Sequence, residues 1–246
     1  MKQYGLIGKS LSHSFSKNYF EQKFEKEGIT DANYSLFELA KIKDFQGLIE
    51  NENLSGLNVT IPYKEAIIPY LSELDEEANA IGAVNTIQFT KSGLKGYNTD
   101  IIGFRNSIKP FLENIHTRAL ILGTGGASKA VAYALEQLGI KILYVSRTPK
   151  GENQINYEDV NHYVMKHHLL IINTTPIGTF PNIGEAPEIP YEYLTDQHFL
   201  YDLVYNPAET QFLKHAKTAG AIAVNGDQML KIQAEEAWKV WGLVRF

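Results

Sequence analysis

The sequence predicts an α/β protein of two domains, and three observations carry that expectation. Short apolar runs of strand length alternate with helix-period segments along the whole chain, the pattern of parallel sheets covered by helices. The run Ala119-Leu120-Ile121-Leu122 leads straight into Gly123-Thr124-Gly125-Gly126-Ala127-Ser128 and then a helical segment. The 246 residues, 44% hydrophobic and 21% charged, suffice for two modest cores.

In the first half the pattern predicts strand 4–8, helix 17–26, strand 33–39, helix 42–50, strand 57–60, helices 63–71 and 73–80, and strands 84–89 and 94–97. The last two form a hairpin around Lys91-Ser92-Gly93. A connecting helix over 101–112, ended near Pro110, marks the passage to the second domain. There the expected elements are strand 119–122, helix 126–138, strands 141–146, 169–173 and 199–203, helix 209–219, strand 221–224 and a terminal helix 227–241 with Gln233 on its surface. Thr148 to His168 reads as irregular, with only 157–166 able to supply a short helix. The domains are expected at 1–100 with 226–246, and at 101–225.

Composition narrows the function classes. A net charge of -5 gives no electrostatic footprint for nucleic acid or an anionic membrane, so the expected partner is a small molecule. With no cysteine, disulfides, thiolate zinc sites and thiol catalysis are excluded. The seven histidines show no ligand spacing with carboxylates, so no metal is expected and they read as surface or loop residues. The start, Met1-Lys2-Gln3 followed by the apolar 4–7, is too short for a signal-peptide core, and no apolar run approaches membrane-spanning length; a cytoplasmic location is expected.

The chemistry concentrates in a few polar clusters at strand ends. Asn58-Val59-Thr60-Ile61-Pro62-Tyr63-Lys64 places a lysine where a buried strand gives way to a proline-opened helix. Tyr97-Asn98-Thr99-Asp100 ends another strand and supplies a carboxylate that could face it, making Lys64 and Asp100 a candidate acid/base pair. Taken singly, Lys64 reads as a solvated charge and Asp100 as a helix cap. In Ser12-His13-Ser14-Phe15-Ser16, Ser14 and Ser16 aim two hydroxyls one way if the chain is extended, or one of them simply caps the next helix. Gly123, Gly125, Gly126 and Ala127 form a pyrophosphate turn, because only glycine lets backbone N–H groups approach phosphates closely. The second strand of that unit ends in Ser146-Arg147-Thr148. A carboxylate there would repel a 2′-phosphate, whereas Arg147 pairs with it and stacks on adenine, so NADP is the expected cofactor.

The ordered series of these clusters, with Gly82-Ala83-Val84-Asn85-Thr86, Asn173-Thr174-Thr175-Pro176-Ile177-Gly178, Tyr201-Asp202-Leu203-Val204-Tyr205-Asn206-Pro207 and Gln233, resembles the shikimate dehydrogenase family over essentially the whole chain. The resemblance implies an N-terminal α/β substrate domain, a Rossmann-like dinucleotide-binding domain, and a C-terminal helix returning to the first domain. It implies reversible reduction of 3-dehydroshikimate to shikimate by NADPH, by a monomer or homodimer. By matching positions, Lys64 and Asp100 are the catalytic pair. Ser14 and Ser16 bind the substrate carboxylate; Thr60, Lys64, Asn85 and Asp100 hold ring hydroxyls; Tyr205 and Gln233 line the substrate site. Gly123, Gly125, Gly126, Ala127, Ser146, Arg147, Thr148, Thr174 and Thr175 belong to the cofactor side.

Three positions depart from the family pattern. Lys17 stands where a proline is usual, Thr179 follows Gly178 in place of methionine, and Lys150 is the sole nearby cation where a second arginine is common. A quinate/shikimate dehydrogenase using NAD or NADP is the nearest alternative. A non-catalytic binder of shikimate-like ligands is another, though it would need neither Lys64 with Asp100 nor a pyrophosphate turn.

Overall fold

The computed structural model describes residues 1–11, 14–51 and 53–243, with the side chain of residue 51 left aside. Ser12 and His13 of the first-loop motif therefore lie outside the described residues. The chain forms two compact units, Met1–Thr99 with Ala234–Phe246, and Asp100–Gln233.

The first unit runs β1 (Lys2–Gly8), α1 (Phe15–Lys26), β2 (Ala32–Glu38), α2 (Phe45–Asn51), β3 (Leu54–Val59), α3 (Tyr63–Ala66), β4 (Glu73–Leu74), α4 (Glu76–Ile81), β5 (Thr86–Thr90) and β6 (Gly93–Tyr97). Its sheet has the order β2-β1-β3-β5-β6-β4. β1 pairs in parallel with β2 and β3, while β5 is antiparallel to both β3 and β6. The sheet is thus mixed rather than parallel throughout, because the tight turn between β5 and β6 can only join antiparallel neighbours.

Both faces are covered, so β3 buries Leu57, Asn58 and Val59 in succession instead of alternating. One face holds Ile7, Phe45, Leu57, Ile67 and Ile87. On the other, Tyr4, Phe20, Phe24 and Tyr34 pack with Trp238 and Trp241 from the end of the chain. The Trp241 indole N–H donates to the Ile87 carbonyl at 3.1 Å, and Gln88 Nε2 donates to the Val240 carbonyl at 2.6 Å. A Cβ on Gly56 would overlap the Trp241 ring, which explains a glycine in this central strand.

Three expected helices of the first unit are interrupted, and the connecting helix expected over 101–112 likewise stops at Ile108 and gives way to a 3₁₀ turn over Lys109–Phe111, which contains Pro110. The 42–50 helix opens with a 3₁₀ turn at Ile42–Asp44 before α2. The 63–71 helix stops as α3 at Ala66 and continues as a 3₁₀ turn over Ile68–Tyr70, since Pro69 has no N–H to sustain the α ladder. The 73–80 segment divides. Glu73 and Leu74 pair with β6, and Asp75 then caps α4 by accepting from the Ala78 N–H at 2.8 Å.

The second unit contains α5 (Asp100–Ile108), β7 (Arg118–Leu122), α6 (Gly126–Gln137), β8 (Lys141–Val145), β9 (Gln154–Ile155), α7 (His162–His167), β10 (Leu170–Asn173), β11 (Phe199–Asp202), α8 (Gln211–Thr218) and β12 (Ile222–Val224). The last helix, α9 (Asp227–Val240), contributes its residues through Gln233 here and those from Ala234 to the first unit. The sheet, β12-β11-β10-β7-β8-β9, is parallel at every pairing. Numbered from β7, this is the 3-2-1-4-5-6 order of the dinucleotide-binding fold. The stretch expected to be irregular supplies the two-residue third strand, β9, and the short α7. A two-residue strand leaves almost no periodic signal, which is why the pattern reads there as irregular.

Two histidines depart from the surface expectation. His116 and His198 are 3% and 1% exposed. His116 Nδ1 accepts from the Glu113 N–H at 2.9 Å, and His198 Nδ1 accepts from the Thr195 N–H at 3.0 Å. Burial pushes both imidazoles below 6.5, their ordinary value. The native state therefore binds fewer protons than the unfolded chain. The stability they contribute is present above about 6.5 and is lost as pH falls through their lowered folded values. Urea unfolding at a series of pH values should show this acid-side decline, and His198→Asn should flatten its slope. An unchanged slope in the variant would refute the assignment.

Candidate active site

Strand direction in the first unit brings the predicted substrate residues to one sheet edge. β1 and β3 are parallel, so the segments following them leave on the same side. The amino end of β5 and the carboxyl end of β6 meet there too, with Asn58 opposite Thr86 and Thr86 opposite Tyr97. Ser14 and Ser16 follow β1, Thr60 and Lys64 follow β3, Asn85 precedes β5, and Thr99 follows β6. β1 is also where the strand order reverses, the place where open α/β sheets bind ligands.

Ser14 occupies the N-cap position of α1 yet makes no capping hydrogen bond, and its buried hydroxyl has no partner among the described residues. A buried, unsatisfied hydroxyl costs about 1–3 kcal/mol, a penalty that a bound ligand removes. The helix starts at Phe15, two residues earlier than expected, so Ser14 and Ser16 do not share a direction as they would in extended chain. Ser16 instead hydrogen-bonds Tyr34, whose hydroxyl burial pushes far above its ordinary range.

Tyr34 and three further polar residues behind this edge escaped the sequence reading. The Tyr34 hydroxyl donates to Asn58 Oδ1 at 2.8 Å, and Asn58 Nδ2 donates to the Asn85 carbonyl at 3.3 Å and Thr86 Oγ1 at 3.2 Å. Asn85 Oδ1 accepts from the Thr86 hydroxyl at 3.0 Å and the Thr99 N–H at 2.7 Å. Asn58, Asn85, Thr86 and Thr99 are each no more than 5% exposed. The signal was available in one form: an asparagine inside the apolar run of β3.

Lys64 lies half-buried in the first turn of α3, and its carbonyl accepts from the Val84 N–H at 2.7 Å, which ties α3 to the segment carrying Asn85. It belongs to the first unit. Asp100, the residue after Thr99, opens α5 in the second unit and is 6% exposed. Gly103, one turn further along α5, admits α9: a Cβ there would lie 2.7 Å from the Met229 carbonyl and 3.0 Å from Gln233 Cβ. Gln233 is accordingly buried rather than on the surface, with Nε2 donating to the Leu230 carbonyl at 3.1 Å. Tyr205 follows β11 and is half-buried.

The predicted cofactor residues gather at the carboxyl edge of the second sheet. β7 lies between β8 and β10, again at the strand-order reversal. Gly123 has φ +104, and a side chain there would press on Thr174 Oγ1 and Thr175 Cγ2, both 3.0 Å from the Cβ position. Gly125 is the N-cap of α6 and faces open space, with nothing within 4 Å of its Cβ position. Gly126, Ala127 and Ser128 form the first turn of α6, and the Ser128 hydroxyl donates back to the Gly125 carbonyl at 2.6 Å. A 12-residue helix thus presents its positive end beside a glycine turn with open space at Gly125, which fits a pyrophosphate. After β8, Ser146 Oγ accepts from the Thr148 N–H at 3.2 Å and shapes the turn that exposes Arg147. A groove of about 650 Å³ bordered by Arg118, Lys141 and His168 opens at the amino ends of β7 and β8, the opposite edge, and holds none of the predicted residues.

Among the described residues no cluster of three or more His, Cys, Asp or Glu side chains is arranged to hold a metal, and no helix is long and apolar enough to cross a membrane.

Residues 6–87 match the family model of the shikimate dehydrogenase substrate binding domain. The chain is 38% identical over 255 residues to the NADP(+) shikimate dehydrogenase of Methanosphaera stadtmanae, covering 96% of this chain and 90% of that one. A chorismate mutase/shikimate 5-dehydrogenase fusion protein of Clostridium acetobutylicum superposes with a TM-score of 0.87 at 37% identity, over all of this chain and 93% of the other. The shikimate 5-dehydrogenase of Thermus thermophilus, solved in complex with NADP(H) and shikimate, superposes with a TM-score of 0.85 at 29% identity, over 99% and 94%. With its mixed first sheet, its glycine turn at the second sheet's reversal point and relatives of this identity along nearly its full length, the chain belongs to the shikimate dehydrogenase family.

Proposed function

We propose that this protein catalyses the NADP-dependent, reversible reduction of 3-dehydroshikimate to shikimate in aromatic amino acid biosynthesis. The observation that carries the reading is the first-unit edge, where the unpartnered buried hydroxyl of Ser14 lies on the same side of the sheet as Thr60, Lys64 and Asn85. Ser14 takes the substrate carboxylate, and Ser16 joins it by exchanging its bond to Tyr34 for one to the ligand. Thr60 and Asn85 take ring hydroxyls, with Asn85 held rigid by its bonds to Thr86 and Thr99. Tyr205 and Gln233 are assigned to the substrate on their family positions alone.

Reduction of the ketone places negative charge on its oxygen. The Lys64 ammonium stabilises that charge and delivers the proton, leaving the alcohol; in the reverse direction the neutral amine takes the proton back. Asp100 accepts a hydrogen bond from a neighbouring ring hydroxyl and orients the substrate. NADPH supplies the hydride when bound. Its pyrophosphate fits the glycine turn from Gly123 to Ala127, its 2′-phosphate fits Arg147 on the turn shaped by Ser146 and Thr148, and Thr174 and Thr175 form the wall beside the turn. Nicotinamide absorbance during incubation with shikimate and NADP tests the assignment directly. No turnover with shikimate under either cofactor would reject it.

Three variants separate the roles. Lys64→Ala should fold and bind shikimate within a modest factor while losing roughly 10²–10⁴ in kcat, because a proton-transfer group acts in the transition state. A near-normal kcat with a raised KM would make it a substrate anchor instead.

Ser14→Ala should raise KM for shikimate and leave NADP affinity unchanged. Since Ser14 makes no capping bond, the melting temperature should not show the loss of about 1 kcal/mol that removing a working cap brings. An unaltered KM would remove Ser14 from the site.

Arg147→Ala should shift preference from NADP towards NAD. A hydrogen bond to a charged group is worth about 1.5–3 kcal/mol, or roughly ten- to a hundredfold, and the exposure of Arg147 places the effect near tenfold. Equal use of both cofactors by the unaltered protein would contradict this.

A further inference from the structure

Asp202 ends β11, is fully buried, and takes no part in the chemistry above. Its Oδ1 accepts from Asn173 Nδ2 at 2.9 Å and from the Val204 N–H at 3.0 Å, and its Oδ2 from the Thr210 hydroxyl at 2.6 Å. Burial pushes its carboxyl up to about 6, against the opposing pull of these three donors; none of them is cationic. A buried carboxylate without a counter-ion is expensive. Capping α8 does not require it, because the Thr210 hydroxyl already accepts from the Leu213 N–H at 3.3 Å.

What a carboxylate provides here is directionality. It only accepts, whereas an asparagine side chain has one accepting end and one donating end. By taking the Asn173 NH₂, Asp202 leaves one orientation for that fully buried amide, with Oδ1 turned to the Thr175 N–H at 3.0 Å and the Thr175 hydroxyl at 2.6 Å. The other Asn173 contact, Nδ2 to the Ile177 carbonyl at 3.3 Å, needs the same orientation. Thr174 is tied separately, donating to the Leu122 carbonyl at 2.7 Å. Together the two threonines form the wall 3.0 Å from the Cβ position of Gly123.

We propose that Asp202 is a positioning residue of the cofactor site, fixing the Asn173 amide and through it the loop from Thr174 to Ile177 against the glycine turn. The proposal rests on the assignment of the glycine turn to NADP. It predicts that loss of the carboxylate damages cofactor binding and spares the substrate side.

The test measures NADPH dissociation by fluorescence titration, KM for shikimate, and thermal unfolding, for the unaltered protein, Asp202→Asn, Asn173→Ala and the double variant. Asp202→Asn should weaken NADPH about tenfold, the order of one charge-assisted hydrogen bond. KM for shikimate should stay within about twofold, and the double variant should lose less than the two single losses combined, because both act through one chain of contacts. Full additivity, or a folded Asp202→Asn with unaltered NADPH affinity, overturns the proposal. So does a loss shared equally by NADPH and shikimate, which would mark a merely structural role. If Asp202→Asn does not fold, Asn173→Ala alone decides on the same selective loss. Failure of the unaltered protein to bind NADPH would instead remove the cofactor assignment beneath it.

Discussion

The first unit depends on one buried polar chain: Tyr34 to Asn58, Asn58 to the Asn85 carbonyl and Thr86, Thr86 to Asn85, and Asn85 to the Thr99 N–H. It draws together segments far apart in sequence, between two apolar cores that could not themselves specify which polar atom faces which. Burial strengthens each bond and penalises any group left over. Where the other buried polar atoms of this edge find partners, the Ser14 hydroxyl finds none among the described residues, and that contrast is what supports the role proposed for it.

The second unit solves a similar problem with an acceptor-only group. A glycine turn must stay close to its neighbours and still leave room for a ligand, so Gly123 is crowded by Thr174 and Thr175 while Gly125 faces open space. Asn173 and Asp202 hold that crowded side. Both units thus place hydrogen-bonded asparagines beside the residues proposed to bind small molecules, each at the strand-order reversal of its sheet.

The C-terminal helix carries two demands in one sequence. Its early turns approach α5 at Gly103, and its later turns bring Trp238 to the aromatic core of the first unit, with Trp241 just beyond it. Trp238 and Trp241 join Tyr4, Phe20, Phe24 and Tyr34, and Lys23 adds an ion pair to Glu235 at 2.7 Å beneath the Tyr19 hydroxyl, which donates to the same carboxylate. Packing of this kind, rather than helix propensity, is what fixes the segment.

The sequence by itself determined the α/β class, the glycine turn after β7, Arg147 in place of an acidic residue, and the family, because each is carried by local pattern or by ordered short motifs. Its element boundaries failed where tertiary pairing outweighed local preference. Glu73 and Leu74 look helical and become a strand because β6 offers an unpaired edge, and β9 is too short to carry a period at all. The sequence also placed Gln233 on a surface and His116 and His198 outside the core, since polarity is local but burial depends on what packs above. Only the tertiary structure decided that Ser14 keeps its hydroxyl unused, that Ser16 turns to Tyr34, and that Asp202 orients Asn173. Those are hydrogen bonds between strands distant in sequence, and no local pattern encodes which donor finds which acceptor.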